Sequence, residues 1–359
     1  MARKQEQEDA SPEITEVAPG ILRLQLQINF TGLGHVNTYA LEDEGGFALV
    51  DPGMPGEAPY KMLLERMDAA GVPERRVHTV IVTHSHIDHF GGAGMLAERS
   101  GAELVANTRF RTWWDPDEID EAELELAGAV DVGESGRRAG SAAHPASKRP
   151  SFTRPAPWGG TINPMSFRER LRMKRQWRKN AAWFRPPKPT KRLADADHIT
   201  LGGRDWVALW TPGHSSDHLC LLDPANGVLL SGDHVLPTIT PHVSGIYDDA
   251  LSAYLRSLDK VAALEGVTDI LPAHGHPFTD LPGRVAQIRD HHIERLQKLR
   301  EIGDVLGWAS VAAFSHELFA QRSWGSMAEG ETYAHLEHLR VNGEAERRET
   351  AGRAEYLIG

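Results

Sequence analysis

The chain has almost no cysteine. Cys220 is the only one in 359 residues, so an intramolecular disulfide is excluded. A signal-length apolar core is missing from the N-terminus, MARKQEQEDASPE, and no apolar run reaches the length that crosses a bilayer. These absences lead to the expectation of a soluble cytoplasmic protein with no membrane partner and a mobile tail over residues 1–15. An excess of positive charge is lacking too: the formal net charge is −11. Hydrophobic residues make up 40%, which excludes a disordered chain and leaves room for a sizeable core.

The charge is uneven. Residues 131–192 contain 16 Lys/Arg and 3 Asp/Glu, a local balance of +13, so the remainder carries −24. An acidic run, DPDEIDEAELE, precedes this segment at 115–125. The segment also holds irregular, Pro-rich stretches such as RPPKPTKR, so it reads as an insertion (about 110–192) laid over a core.

On either side of it, strand and helix patterns alternate. GFALVDPG (46–53) and VHTVIVTH (77–84) are strands that end at turns, and YKMLLERMDAAG (60–71) has helical spacing. After the insertion come the short apolar strands DWVALWTPGH (205–214), LCLLDP (219–224), GVLLSGD (227–233) and VTDILPAHG (267–275). Five strand ends carry metal-capable side chains just past the last apolar position: Asp51, the group His84/His86/Asp88/His89, His214, Asp233 and His274. Imidazole nitrogen and carboxylate oxygen suit zinc. In an extended loop, residues two apart project to the same side, so His84 and His86 can grip one ion. Asp88 and His89, past the turn, can face a second. The plain alternative is a structural metal site, but such sites are normally closed by four ligands, often cysteines. Asp51 also fits an ordinary turn, since DPG is a turn signal. His218, His234, His242, His276 and Asp217 lie near these positions and read as turn or supporting residues.

The motifs THSHIDH, TPGHSSDH, LLSGDHV and LPAHGHP, in that order, resemble the metallo-β-lactamase superfamily over most of residues 16–290 outside the insertion. The resemblance implies an α/β (α+β) chain folded as an αββα four-layer sandwich with a two-metal site at one edge. It implies that His84, His86 and His214 hold one ion, that Asp88, His89 and His274 hold the other, and that Asp233 bridges them. Asp51 would accept a hydrogen bond from a ligand histidine. Two zinc ions are expected, with iron or manganese as alternatives at such a nitrogen/oxygen site. Water between two zinc ions has its pKa lowered from about 15.7 to roughly 7, so a bridging hydroxide becomes the nucleophile, oriented by Asp88.

The last stretch, 291–359, reads as a small helical domain in winged-helix order: helix, helix, helix, hairpin. A similar addition occurs in the β-lactamase-like endoribonucleases and in glyoxalase II-like relatives with thioesterase activity. The expected activity is hydrolysis of a small anionic or aromatic acyl substrate, a thioester, ester or lactone. The alternative is a phosphodiesterase cutting single-stranded RNA. The would-be recognition helix, ETYAHLEHLR, has more acids than Lys/Arg, so a packing or dimerisation module is the favoured reading. Within the insertion, Trp158, Arg175, Trp177, Arg178 and Trp183 are candidate substrate contacts, since cationic and aromatic residues alternate there. An arm of this composition also suits a homodimer.

Overall fold

The computed structural model describes residues 3–30, 32–112, 154–162, 166–245 and 249–359. The acidic run 115–125 and residues 131–153 of the basic segment lie outside the described residues. The strands are β1 (Thr15–Ala18), β2 (Ile21–Phe30), β3 (Leu33–Asp43), β4 (Gly46–Val50), β5 (Val77–Ile81), β6 (Glu103–Asn107), β7 (Arg154–Pro155), β8 (Thr161–Ile162), β9 (Lys191–Leu193), β10 (His198–Leu201), β11 (Arg204–Trp210), β12 (Leu219–Asp223), β13 (Val228–Gly232), β14 (Asp269–Pro272), β15 (Ala309–Ser310), β16 (Ala345–Thr350) and β17 (Arg353–Ile358). The helices are α1 (Glu57–Ala69), α2 (Ile87–Phe90), α3 (Ala93–Ser100), α4 (Phe167–Asn180), α5 (Ala250–Ala262), α6 (Leu281–Leu306), α7 (Val311–Leu318) and α8 (Ser326–Val341).

Two sheets stack face to face. One has the order β1-β2-β3-β4-β5-β6-β9, the other β10-β11-β12-β13-β14. Both are covered on their outer faces, so their central strands are apolar on both sides. In β4, Ala48 and Val50 point between the sheets while Leu49 points outward to α1 and α3. In β13, Val228 and Leu230 point between the sheets while Leu229 faces α5 and α6. Period-two alternation of apolar with apolar therefore builds three apolar layers, and the architecture is the four-layer αββα sandwich.

The polar chemistry collects where strands end. β4, β5, β6 and β9 run parallel, as do β13 and β14, so the loops that follow them open at one edge. Backbone bonds cross between the sheets there: Asn37 N–H donates to the Ala273 carbonyl (2.7 Å) and Leu219 N–H to the Thr83 carbonyl (2.8 Å). The last part of the insertion is itself sheet, since β9 pairs with β6.

The N-terminal stretch, expected as a mobile tail, lies on the body of the protein. Glu6 is fully buried, and its carboxylate accepts from Thr238 N–H (2.6 Å), the Thr238 hydroxyl and Ile239 N–H (3.0 Å). Three donors are what a buried carboxylate needs, and no apolar pattern announces them. A boundary at 290/291 falls inside α6, a helix of 26 residues that runs from the sandwich into the C-terminal part. There α7 and α8 pack, and β15 pairs with β17, which pairs with β16. Among the described residues no helix is long and apolar enough to cross a membrane.

Candidate metal centre

The hydrophobic strand β5 delivers the chain into the interior, and Thr83 stops it. The Asp51 carboxylate accepts from Thr83 N–H (2.8 Å) and from the Thr83 hydroxyl (2.7 Å). That pairing bends the chain at Thr83–Ser85, which carries His84, and leaves His86 in extended backbone at the N-cap of α2. Asp88 and His89 sit in the single turn of α2. The turn lies close on the loop after Asp51: a Cβ on Gly92 would meet the Pro52 carbonyl oxygen at 2.4 Å, so a glycine is required there. His214 follows β11, Asp233 follows β13 and His274 follows β14.

These seven side chains converge. His84, His86, His214 and Asp233 form one cluster, and Asp88, His89 and His274 a second, the ligating atoms of each lying within 4.8 Å of one another. Asp233 reaches both. Its Oδ2 is 3.9 Å from His84 Nε2, 3.4 Å from His214 Nε2 and 3.5 Å from His89 Nε2. Its Oδ1 is 3.3 Å from His274 Nε2. Asp88 Oδ2 lies 3.7 Å from the Nε2 atoms of both His89 and His274.

Four of the clustered rings are held from behind. His89 Nδ1 donates to Asp51 Oδ2 (2.8 Å), His274 Nδ1 to the His35 carbonyl (2.6 Å) and His214 Nδ1 to the His242 carbonyl (2.7 Å). His84 Nδ1 lies 3.1 Å from the Thr83 hydroxyl. Each such contact engages Nδ1 and turns Nε2 into the cluster. The carbonyls of His35 and His242 were not read from the sequence, because a backbone oxygen has no sequence signature.

The electrostatics ask for cations. Burial, with His89 beside it, holds His84 well below the ordinary imidazole range, so its ring is neutral and able to ligate. Burial opposes ionisation of Asp233, but His274 and His89 outweigh it and keep the carboxyl well below the usual range. Burial likewise opposes charge on His89, yet Asp233, Asp88 and Asp51 push it well above the ordinary value, and Asp233 raises His274 in the same way. Nε2 of His84, His89 and His274 and Oδ1 of Asp233 are buried without a hydrogen bond of proper geometry. Burying such atoms unpaired costs on the order of 1–3 kcal/mol each. Divalent ions among these nitrogen and oxygen donors remove that cost, so the residues present fit metal.

The substrate candidates of the insertion have these surroundings among the described residues. Trp158 is buried, donates Nε1–H to Glu329 on α8 (2.9 Å) and packs its ring 5.3 Å from that of Tyr333. Trp183 sits against α1, its ring 6.2 Å from Tyr60 and 5.6 Å from Lys61 Nζ. Arg175 and Arg178 are exposed on α4, and the side chain of Trp177 lies outside the described residues.

The family model of the metallo-beta-lactamase superfamily matches residues 31–274. The chain belongs to this superfamily. Two solved structures resemble it along nearly their whole length. A metallo-beta-lactamase family protein from Thermus thermophilus is 27% identical with a TM-score of 0.71, covering 96% of this chain and 100% of that one. A beta-lactamase domain protein from Burkholderia ambifaria is 29% identical with a TM-score of 0.70, covering 98% and 96%. Among curated relatives, the lactamase-like protein vrtG of Penicillium aethiopicum is 36% identical over 115 residues, and the match spans only 35% of its length. The atrochrysone carboxyl ACP thioesterase of Aspergillus fumigatus is 25% identical over 328 residues, 86% of this chain and 76% of that one. The protein is therefore a hydrolase of the metallo-beta-lactamase fold, and its two His/Asp clusters fit divalent metal.

Proposed function

We propose that the chain hydrolyses a small anionic acyl thioester and works with two divalent ions, zinc by the chemistry of its donors. The observation that carries this reading is Asp233, whose two oxygens reach both histidine clusters. His84, His86 and His214 would hold one ion, Asp88, His89 and His274 the other. Bound there, the ions would supply Lewis acidity for an acyl carbonyl and lower the pKa of water. The protein's share is placement. Asp51, through Thr83 and His89, fixes the loop that carries four of the ligands. Asp88 would orient the attacking water and accept its proton, a role supported by its carboxylate lying 3.7 Å from the Nε2 atoms of His89 and His274.

The choice of a thioester is supported by the thioesterase relative, which aligns over most of this chain. The choice of an anion is supported by α4, which contains seven Lys/Arg and one Glu in 14 residues. The helix α8, which nucleic-acid binding would need exposed, instead buries Thr332, Tyr333, His335, Leu336 and Leu339.

The test is turnover of a panel of acyl thioesters by metal-loaded protein. Turnover that His86→Ala abolishes is the expected result. Cleavage of single-stranded RNA with a steep salt dependence, and no acyl turnover, would replace this reading with a phosphodiesterase.

A further inference from the structure

Asp233 has to span both clusters, yet it follows Gly232, whose backbone lies at φ 52°, where little but glycine is at ease. Something else must fix its direction. Its own N–H donates to Nε2 of His218 (3.0 Å). A backbone N–H can only donate, so this ring nitrogen carries the lone pair and the ring proton sits on Nδ1. Nδ1 lies 2.8 Å from the Thr211 hydroxyl, which must accept it. The hydroxyl hydrogen is then free to point at Cys220 Sγ, 3.4 Å away, and the thiol donates to the Ser231 carbonyl (3.4 Å). The chain of donors leaves the backbone at 233 and returns to it at 231. All five residues are buried, Asp233 the most exposed at 5%. The circuit joins the ends of β11 and β12 to the end of β13, and it accounts for the lone cysteine.

We propose that His218 is a positioning residue: it grips the 231–233 turn from beneath and sets the carboxylate of Asp233 across the two clusters. The inference rests on the metal-dependent reading of the site. Gly232 belongs to the device, because a Cβ there would lie 2.6 Å from His218 Nε2 and push the ring away. The ring also lies 5.1 Å, centroid to centroid, from His84, so it backs two ligands at once.

The test uses the full chain loaded with Zn²⁺, with metal per chain and affinity by chelator competition as readouts. His218→Gln places its carbonyl oxygen where Nε2 was and can still accept from Asp233 N–H. His218→Asn is too short to do so, and His218→Phe keeps the volume with no polar atom. Wild-type affinity within a few-fold is expected for H218Q, and about a 10–100-fold loss for H218N and H218F, the range typical when a ligand loses its supporting partner. Thr211→Val, which leaves the ring in place but removes its acceptor, should also weaken binding and guards against a variant that does not fold. Wild-type affinity in folded H218F or in T211V, or no advantage of H218Q over H218N, would overturn the proposal. A wild-type protein that holds no metal would instead overturn the reading on which it rests.

Discussion

Two regions of this molecule concentrate polar side chains, and they are built in opposite ways. In the cluster spanning residues 84–274, four of the histidines are held from behind by a carboxylate, a hydroxyl or a carbonyl, and all four are buried. The cationic helix α4 has its own N-terminal capping box, Ser166 with Glu169, and leaves Phe167 (81%) and Leu171 (41%) exposed. The contrast suggests a division of labour. On the proposed function, chemistry would sit on the buried frame, and choice of substrate would rest with an element that packs little and can vary at low cost to stability.

The comparison can be broken at its rigid side first. Asp233→Ala removes the one side chain common to both clusters. Turnover should fall by more than about 100-fold and bound metal should drop below two per chain, as read by elemental analysis, since losing a direct ligand costs more than losing its supporting partner. Acidity probes the same side. Without metal, His89 and His274 are held above the ordinary imidazole value, so they carry protons that an ion must displace. Affinity therefore rises with pH until those protons are lost, by about tenfold per pH unit for each proton released. Calorimetry of metal binding in buffers of different ionisation enthalpy counts them, and a count of zero would refute the assignment.

Smaller effects follow further out. Asp51→Asn keeps the shape but removes the charge facing His89 and Thr83, and should weaken metal binding by about 10–100-fold. The exposed side predicts least. Reversing charge at Arg175 and Arg178 together should raise KM for an anionic thioester several-fold, less so as salt is added, while metal content stays at the wild-type level. Equal losses of metal from both sides of the molecule would erase the distinction.

The sequence was most readable where physics is local. β4, β5, β11, β12, β13 and β14 each carry a short apolar run stopped by a turn, and the turns after β5, β11, β13 and β14 show metal-capable side chains in the next few residues, whereas β2 (ILRLQLQINF) interleaves polar residues and β9 (KRL) has no apolar run to announce it. What could not be read is what side chains do at a distance. Glu6 looks like one more charge in a polar tail, and only the fold brings Thr238 and Ile239 to it. Trp158 reads as one more aromatic in a basic segment, and no local pattern announces that its indole N–H goes to Glu329, 171 positions away. His218 is one of several histidines near ligands, and nothing in TPGHSSDH marks it as the acceptor for the Asp233 backbone.

The central claim is that seven side chains hold two neighbouring cations. Anomalous diffraction from crystals of unchelated protein, recorded on both sides of the zinc absorption edge, tests it most directly. The account predicts two peaks, one among His84, His86 and His214 and the other among Asp88, His89 and His274, with Asp233 between them. A single peak, or none at this edge of the sandwich, would contradict it.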